Sequence, residues 1–148
     1  MARVGVGRRV DVVVDVANAV GSRPDGWWRD RAGASTRLLA QLARLAGAGT
    51  VEGPDGSPLA VGCVHAVLEG RARSAQLPGG VRVVLAEADG DGAVVALVGE
   101  LDRSGEAEVL VVTADRGLRA RLPERAAVCG PGWLRGLLDE LEEDEPGE

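Results

Sequence analysis

The sequence predicts a three-layer α/β/α domain with a central parallel sheet of four to five strands. Two observations carry this prediction. Short Val-rich runs alternate with helical patterns along the chain, and strand–helix alternation builds a parallel sheet covered by helices on both faces. The first of these runs, Val10–Val14, is nearly continuous in apolar residues, as a central strand buried on both faces requires. A length of 148 residues suits one domain with a full core.

The elements follow in order. Val10–Val14 is the first strand, and Asp30–Ala46 a helix with Leu38, Leu39, Leu42 and Leu45 on one stripe. Thr50–Pro58 is rich in Gly and Pro and reads as a loop. Ala60–Leu68 is the second strand, Gly70–Pro78 a short Arg-bearing connection, and Val81–Ala86 the third strand. Asp89-Gly90-Asp91-Gly92 opens a helix over Ala93–Leu101. Glu108–Thr113 is the fourth strand, and Arg116–Leu122 a short helix stopped by Pro123. Ala126–Cys129 is a fifth strand, and Gly132–Glu142 the last helix, with Leu134, Leu137, Leu138 and Leu141 on its apolar side. No internal repeat is present.

The core must be built from Val, Leu and Ala, because Phe and Tyr are absent. No apolar run is long enough to span a bilayer, and Asp11 and Asp15 interrupt the run that a leader peptide would need. The expected compartment is the cytoplasm. All 17 basic residues are Arg, whose planar fork grips phosphate with two bonds. Seven of the 23 acids lie between Asp139 and Glu148, leaving 16 against 17 Arg over residues 1–138, a net of +1. The chain thus divides into a near-neutral single domain, 1–138, and an acidic tail, 139–148, read as a solvated helix end. Cys63 and Cys129 sit in apolar runs and read as buried, reduced thiols, with no spacing that suggests zinc. Without Lys there is no Walker-type phosphate loop, and one His with two Cys outside any elbow gives no nucleophilic triad. No haem, nucleotide cofactor or membrane partner is expected.

Acids follow the strands. Asp15 ends the first, Glu69 the second, Asp89 and Asp91 follow the third, and Asp115 the fourth. In a parallel sheet all strands end on the same edge, where ligands bind. Acids far apart in sequence therefore converge. Converging carboxylates repel one another unless a cation neutralises them, and hard oxygen donors suit Mg²⁺ or Mn²⁺. Asp15, Asp91 and Asp115 are the candidate metal ligands, Glu69 a fourth, and Asn18 orients Asp15 or a metal-bound water. The bland alternatives are helix caps at Asp91 and Asp115 and a turn at Asn18.

The segment Val12-Val13-Val14-Asp15-Val16-Ala17-Asn18-Ala19-Val20-Gly21 resembles the opening strand and loop of NYN domains, including the YacP-like group, within the PIN-like nuclease superfamily. Val111-Val112-Thr113-Ala114-Asp115-Arg116-Gly117-Leu118 is similar to the late motif of that family. Gly90-Asp91 stands where the family has an Asp-Asp pair opening a helix, and Leu68-Glu69-Gly70-Arg71 where relatives place an acid after the second strand. The likeness spans about residues 9–134. It implies a PIN-like fold, metal-dependent cleavage of RNA phosphodiesters, and Asp15, Asp91 and Asp115 as metal-binding acids. Gly92 departs from the pattern, since many relatives carry a second Asp there; Glu87 or Asp89 are the acids at hand to replace it.

A second resemblance is to short, Arg-rich bacterial proteins that carry a segment like Asp25–Arg31 and are sometimes labelled nucleotide pyrophosphohydrolases. No motif here supports that label. Three readings follow: a Mg²⁺- or Mn²⁺-dependent ribonuclease, a nucleotide pyrophosphohydrolase with the same site, and a degenerate module that binds RNA or protein. Arg71, Arg73, Arg116 and Arg119 follow strand ends, and of these Arg71, Arg116 and Arg119 are assigned to substrate phosphates. Trp27 and Trp28 read as a cover for the first long helix, with base stacking as the alternative. Trp133 packs the last helix. His65 reads as a sheet histidine with its hydrogen bonds satisfied.

Overall fold

The computed structural model describes residues 9–21, 31–69, 79–86 and 90–143. Six strands form one mixed, mostly parallel sheet. They are β1 (Arg9–Asp15), β2 (Thr50–Glu52), β3 (Pro58–Leu68), β4 (Arg82–Leu85), β5 (Glu108–Val112) and β6 (Ala127–Cys129). The helices are α1 (Val16–Gly21), α2 (Arg31–Ala46), α3 (Gly90–Ser104), α4 (Arg116–Ala120) and α5 (Pro131–Glu143).

The strand with the most continuous Val run lies in the middle. β1 pairs in parallel with β3 on one side and β5 on the other, and β6 continues the sheet beyond β5. On the far edge of β3, β2 pairs antiparallel with its beginning and β4 parallel with its end. Alternation along β1 then divides the core. Val12 and Val14 face α1, α2 and α5, where Ala19, Leu39, Leu42, Leu134 and Leu138 are buried. Val13 faces α3 and α4, against Val94, Val98 and Leu118. Val12, Val13 and Val14 are fully buried, with helices over both faces.

Two elements differ from the sequence reading. The stretch Thr50–Pro58 is not all loop: Thr50–Glu52 forms β2, hairpinned to β3. Of the Gly and Pro residues that suggested a loop, Gly53, Pro54 and Gly56 form the turn and Pro58 opens β3. There Gly53 N–H donates to Ser57 O at 2.8 Å, Asp55 Oδ1 accepts from Ser57 N at 3.0 Å, and Gly56 takes φ of +87°. That left-handed backbone is strained for any side chain. The second difference is α1. The segment after Asp15 turns at once into a six-residue helix that buries Val16 and Ala19.

The last helix reaches Glu143, and the acidic stretch begins inside it, at Asp139. Glu142 accepts from Gln41 Nε2 at 2.9 Å and pairs with Arg44 at 3.3 Å, tying the end of α5 to α2. Among the described residues no helix is long and apolar enough to cross a membrane.

Candidate metal centre at the carboxyl edge of the sheet

Asp15 is the last residue of the central strand, and the core closes over it: only 6% of it is exposed. Burial pushes its carboxyl above the usual range. Two hydrogen bonds pull the other way, from Thr113 Oγ1 to Oδ2 at 3.1 Å and from the Asn18 backbone N–H to Oδ1 at 3.4 Å. The negative charges of Asp91 and Glu69 push it up further. Those two acids, remote in sequence, thus act on Asp15 through space.

Glu69 follows β3 and reaches across to the start of α3, where its Oε2 accepts the Gly90 N–H at 2.8 Å. It satisfies one of the amides that a helix start leaves open. A side chain at position 90 would meet the end of that carboxylate, which would have to swing aside and give up its bond to the Gly90 N–H. Glu69 therefore positions the first turn of α3, and Asp91 lies in that turn, at the positive end of the helix dipole.

Asp115 joins the same edge through Thr113. Its backbone N–H donates to Thr113 Oγ1 at 3.1 Å, the hydroxyl that also bonds Asp15. Its own Oδ1 accepts from Leu118 N at 3.1 Å and caps α4. The cap suspected from the sequence is thus present. Asn18 differs from expectation. Its side-chain Oδ1 accepts from Ala114 N at 2.9 Å, and it is its backbone that meets Asp15. The side chain ties α1 to the loop before α4, because the tight turn out of β1 points it across to β5. Arg116 and Arg119 are exposed on α4. Arg71, Arg73, Glu87, Asp89, Trp27 and Trp28 lie outside the described residues. Trp133, on α5, packs partly buried against the core, and its Nε1 donates to Glu52 O at 3.0 Å.

Oxygen donors of this kind fit a hard divalent cation. Among the described residues these four acids do not bring three carboxylate oxygens within 4.8 Å of one another. A Mg²⁺-type ion, which keeps several of its waters, tolerates such spacing.

A consequence follows for the metal-free protein. A carboxyl whose folded pKa is raised binds its proton more tightly folded than unfolded, so its ionisation costs stability. That cost is absent at pH below the ordinary carboxylate range and present in full above the raised folded value. The melting-temperature difference between Asp15→Asn and the wild type, measured without metal, is therefore expected to favour the variant at neutral pH and to shrink as pH falls toward 4. A pH-independent difference would contradict the burial and repulsion described for Asp15.

The sequence reading missed a second group. Asp11, Cys63 and His65 each bring one donor atom within 4.8 Å of the others, at the amino end of β1. Neither Cys is fully buried, and His65 is not satisfied: its Nε2 is buried without a partner among the described residues. The signal was present in Cys63-Val64-His65, because alternate residues of a strand share a face. The third donor comes from another strand and leaves no local trace.

No protein-family model matches the chain, and no curated protein does. Solved structures do. Rae1 (YacP) from Bacillus subtilis aligns with a TM-score of 0.68 at 15% identity, over 89% of this chain and 75% of that one. A tryptophan-to-leucine mutant of the same protein aligns with a TM-score of 0.68 at 16% identity, over 90% and 77%. At such identity the likeness carries the fold alone. The chain has a PIN-like architecture, and its structural neighbours are YacP, the group its motifs resemble.

Proposed function

We propose that this protein is a Mg²⁺- or Mn²⁺-dependent ribonuclease of the PIN/NYN type. One observation carries the reading: a buried carboxylate, Asp15, ends the central strand under the combined charge of Asp91 and Glu69. Keeping an acid there costs stability, and a cation is the simplest return on that cost. Asp15, Asp91 and Asp115 would hold the ion, with Glu69 fixing the turn that presents Asp91. When bound, the ion supplies an activated water and neutralises charge developing on a phosphate. The chain's own part is positioning. Thr113 and the Asn18 amide orient Asp15, the α4 cap sets Asp115, and Arg116 and Arg119 offer exposed cations for the phosphate backbone. Arg71 has the same proposed role.

A second reading, an RNA-binding module without catalysis, draws on Gly92, which replaces the second acid of the motif. The test uses labelled single-stranded RNA and, separately, a nucleoside triphosphate, each with Mn²⁺. RNA fragments that disappear with chelator are expected. Released pyrophosphate with intact RNA would assign a nucleotide hydrolase instead. RNA retention without cleavage would assign the binding module.

A further inference from the structure

The second donor group lies at the opposite end of β1 from Asp15, about 13 Å away at the rise of a strand. Asp11 is 4% exposed and His65 2%, while Cys63 is half-buried and opens the group to solvent. The local chain is shaped around it. Register slips between Val10 and Val12, where Asp11 alone of β1 stands opposite Gly62 and Cys63 of β3, between the pairs Val10–Val61 and Val12–Val64. The extra residue is accommodated at Gly62–Cys63, and a side chain at Gly62 would collide with the Arg9 stem and with Asp11 Oδ1. Glycine there lets the carboxylate approach β3, where Oδ1 accepts the Cys63 N–H at 2.9 Å. Arg9 Nε meets the same oxygen at 3.3 Å from a half-exposed side chain.

His65 supplies the independent sign. The Nε2 of His65 is buried without a partner among the described residues, a costly state that a bound ion in this group would relieve or offset. One imidazole nitrogen of His65, the thiol sulfur of Cys63 and a carboxylate oxygen of Asp11 lie within 4.8 Å of one another. One sulfur, one nitrogen and one oxygen are the donors of a borderline-soft transition ion, and Mg²⁺ and Mn²⁺ prefer oxygen alone.

We propose that Asp11, Cys63 and His65 form a binding site for a Zn²⁺-type transition metal, distinct from the acid cluster at the other end of the strand. Three protein donors leave the fourth position of a tetrahedral ion to solvent on the Cys63 side. Cys63 binds as thiolate, and its proton leaves to bulk water. The ion clamps β1 to β3 where the register slips.

Cobalt(II) is the probe. Full-length protein stripped with chelator is titrated with Co²⁺ while absorbance is recorded. The expected result is a near-ultraviolet thiolate-to-cobalt band that saturates at one ion per chain, is bleached by Zn²⁺, and withstands excess Mg²⁺. Cys63→Ser should remove the band and Cys129→Ser should leave it. Cys63 is half-exposed, so its replacement should fold; circular dichroism checks this. His65→Gln should keep a weakened band or shift it. No band in folded wild type overturns the site, as does a band that survives Cys63→Ser or is lost with Cys129→Ser.

Discussion

Asp15→Asn is expected to lower RNA cleavage by about 100-fold or more, the scale of losing one preorganised electrostatic group, while the protein stays folded. Asn keeps the shape and still accepts a hydrogen bond from Thr113, but it brings no charge to a cation. The metal-free variant should melt higher than the wild type, because a buried carboxylate under the charge of Asp91 and Glu69 has been removed. Mn²⁺ should raise the melting temperature of the wild type and do much less for the variant. Together these results separate a site residue from a core residue, since a purely structural Asp15 would unfold on substitution. Gly92→Asp should act in the reverse sense, restoring the second acid of the motif and tightening Mn²⁺ binding at some cost in metal-free stability. Undiminished cleavage by purified Asp15→Asn protein would end the nuclease reading of this edge.

Gly90→Ala is the second large effect. The added methyl group collides with Glu69 and breaks the bond that starts α3. The carboxylate ends a flexible side chain and can swing aside, so the stability loss is that of the hydrogen bond, about 1 kcal/mol. Urea unfolding should show a lower midpoint with an unchanged slope. Metal-dependent activity should fall more than stability does, because the displaced turn carries Asp91. A variant as stable and as active as wild type would mean that Glu69 does not set the position of α3.

The sequence disclosed the parts of this structure that repeat. The Val run of β1, dry on both faces, could be read as central because no half-exposed strand tolerates it. The Leu stripe of α2 and the strand-terminal acids followed from period and position alone. Parallel topology then placed Asp15, Asp91, Glu69 and Asp115 on one edge before any coordinates. The misses share a cause: each depends on a contact between distant segments. β2 exists because Thr50–Glu52 finds the open edge of β3, and its three residues carry no period of their own. α1 begins with Val16, whose β-branched side chain extends the strand pattern, yet the core buries it as a helix turn. Asn18 was assigned to Asp15 by proximity in sequence, whereas its side chain reaches Ala114, 96 residues away. The Asp11–Cys63–His65 group escaped for the same reason, as its carboxylate and its thiol are 52 residues apart.

Thr113 has one hydroxyl hydrogen and two neighbours. Since its oxygen receives the Asp115 N–H, its hydrogen is left to point at Asp15, and the connection runs in one direction only. α4 and the end of β1 are therefore not independent parts. The start of α4 and the last residue of the central strand are held in one fixed relation by a single buried hydroxyl, so a side chain without that hydroxyl at position 113 would leave each acid to set its own place.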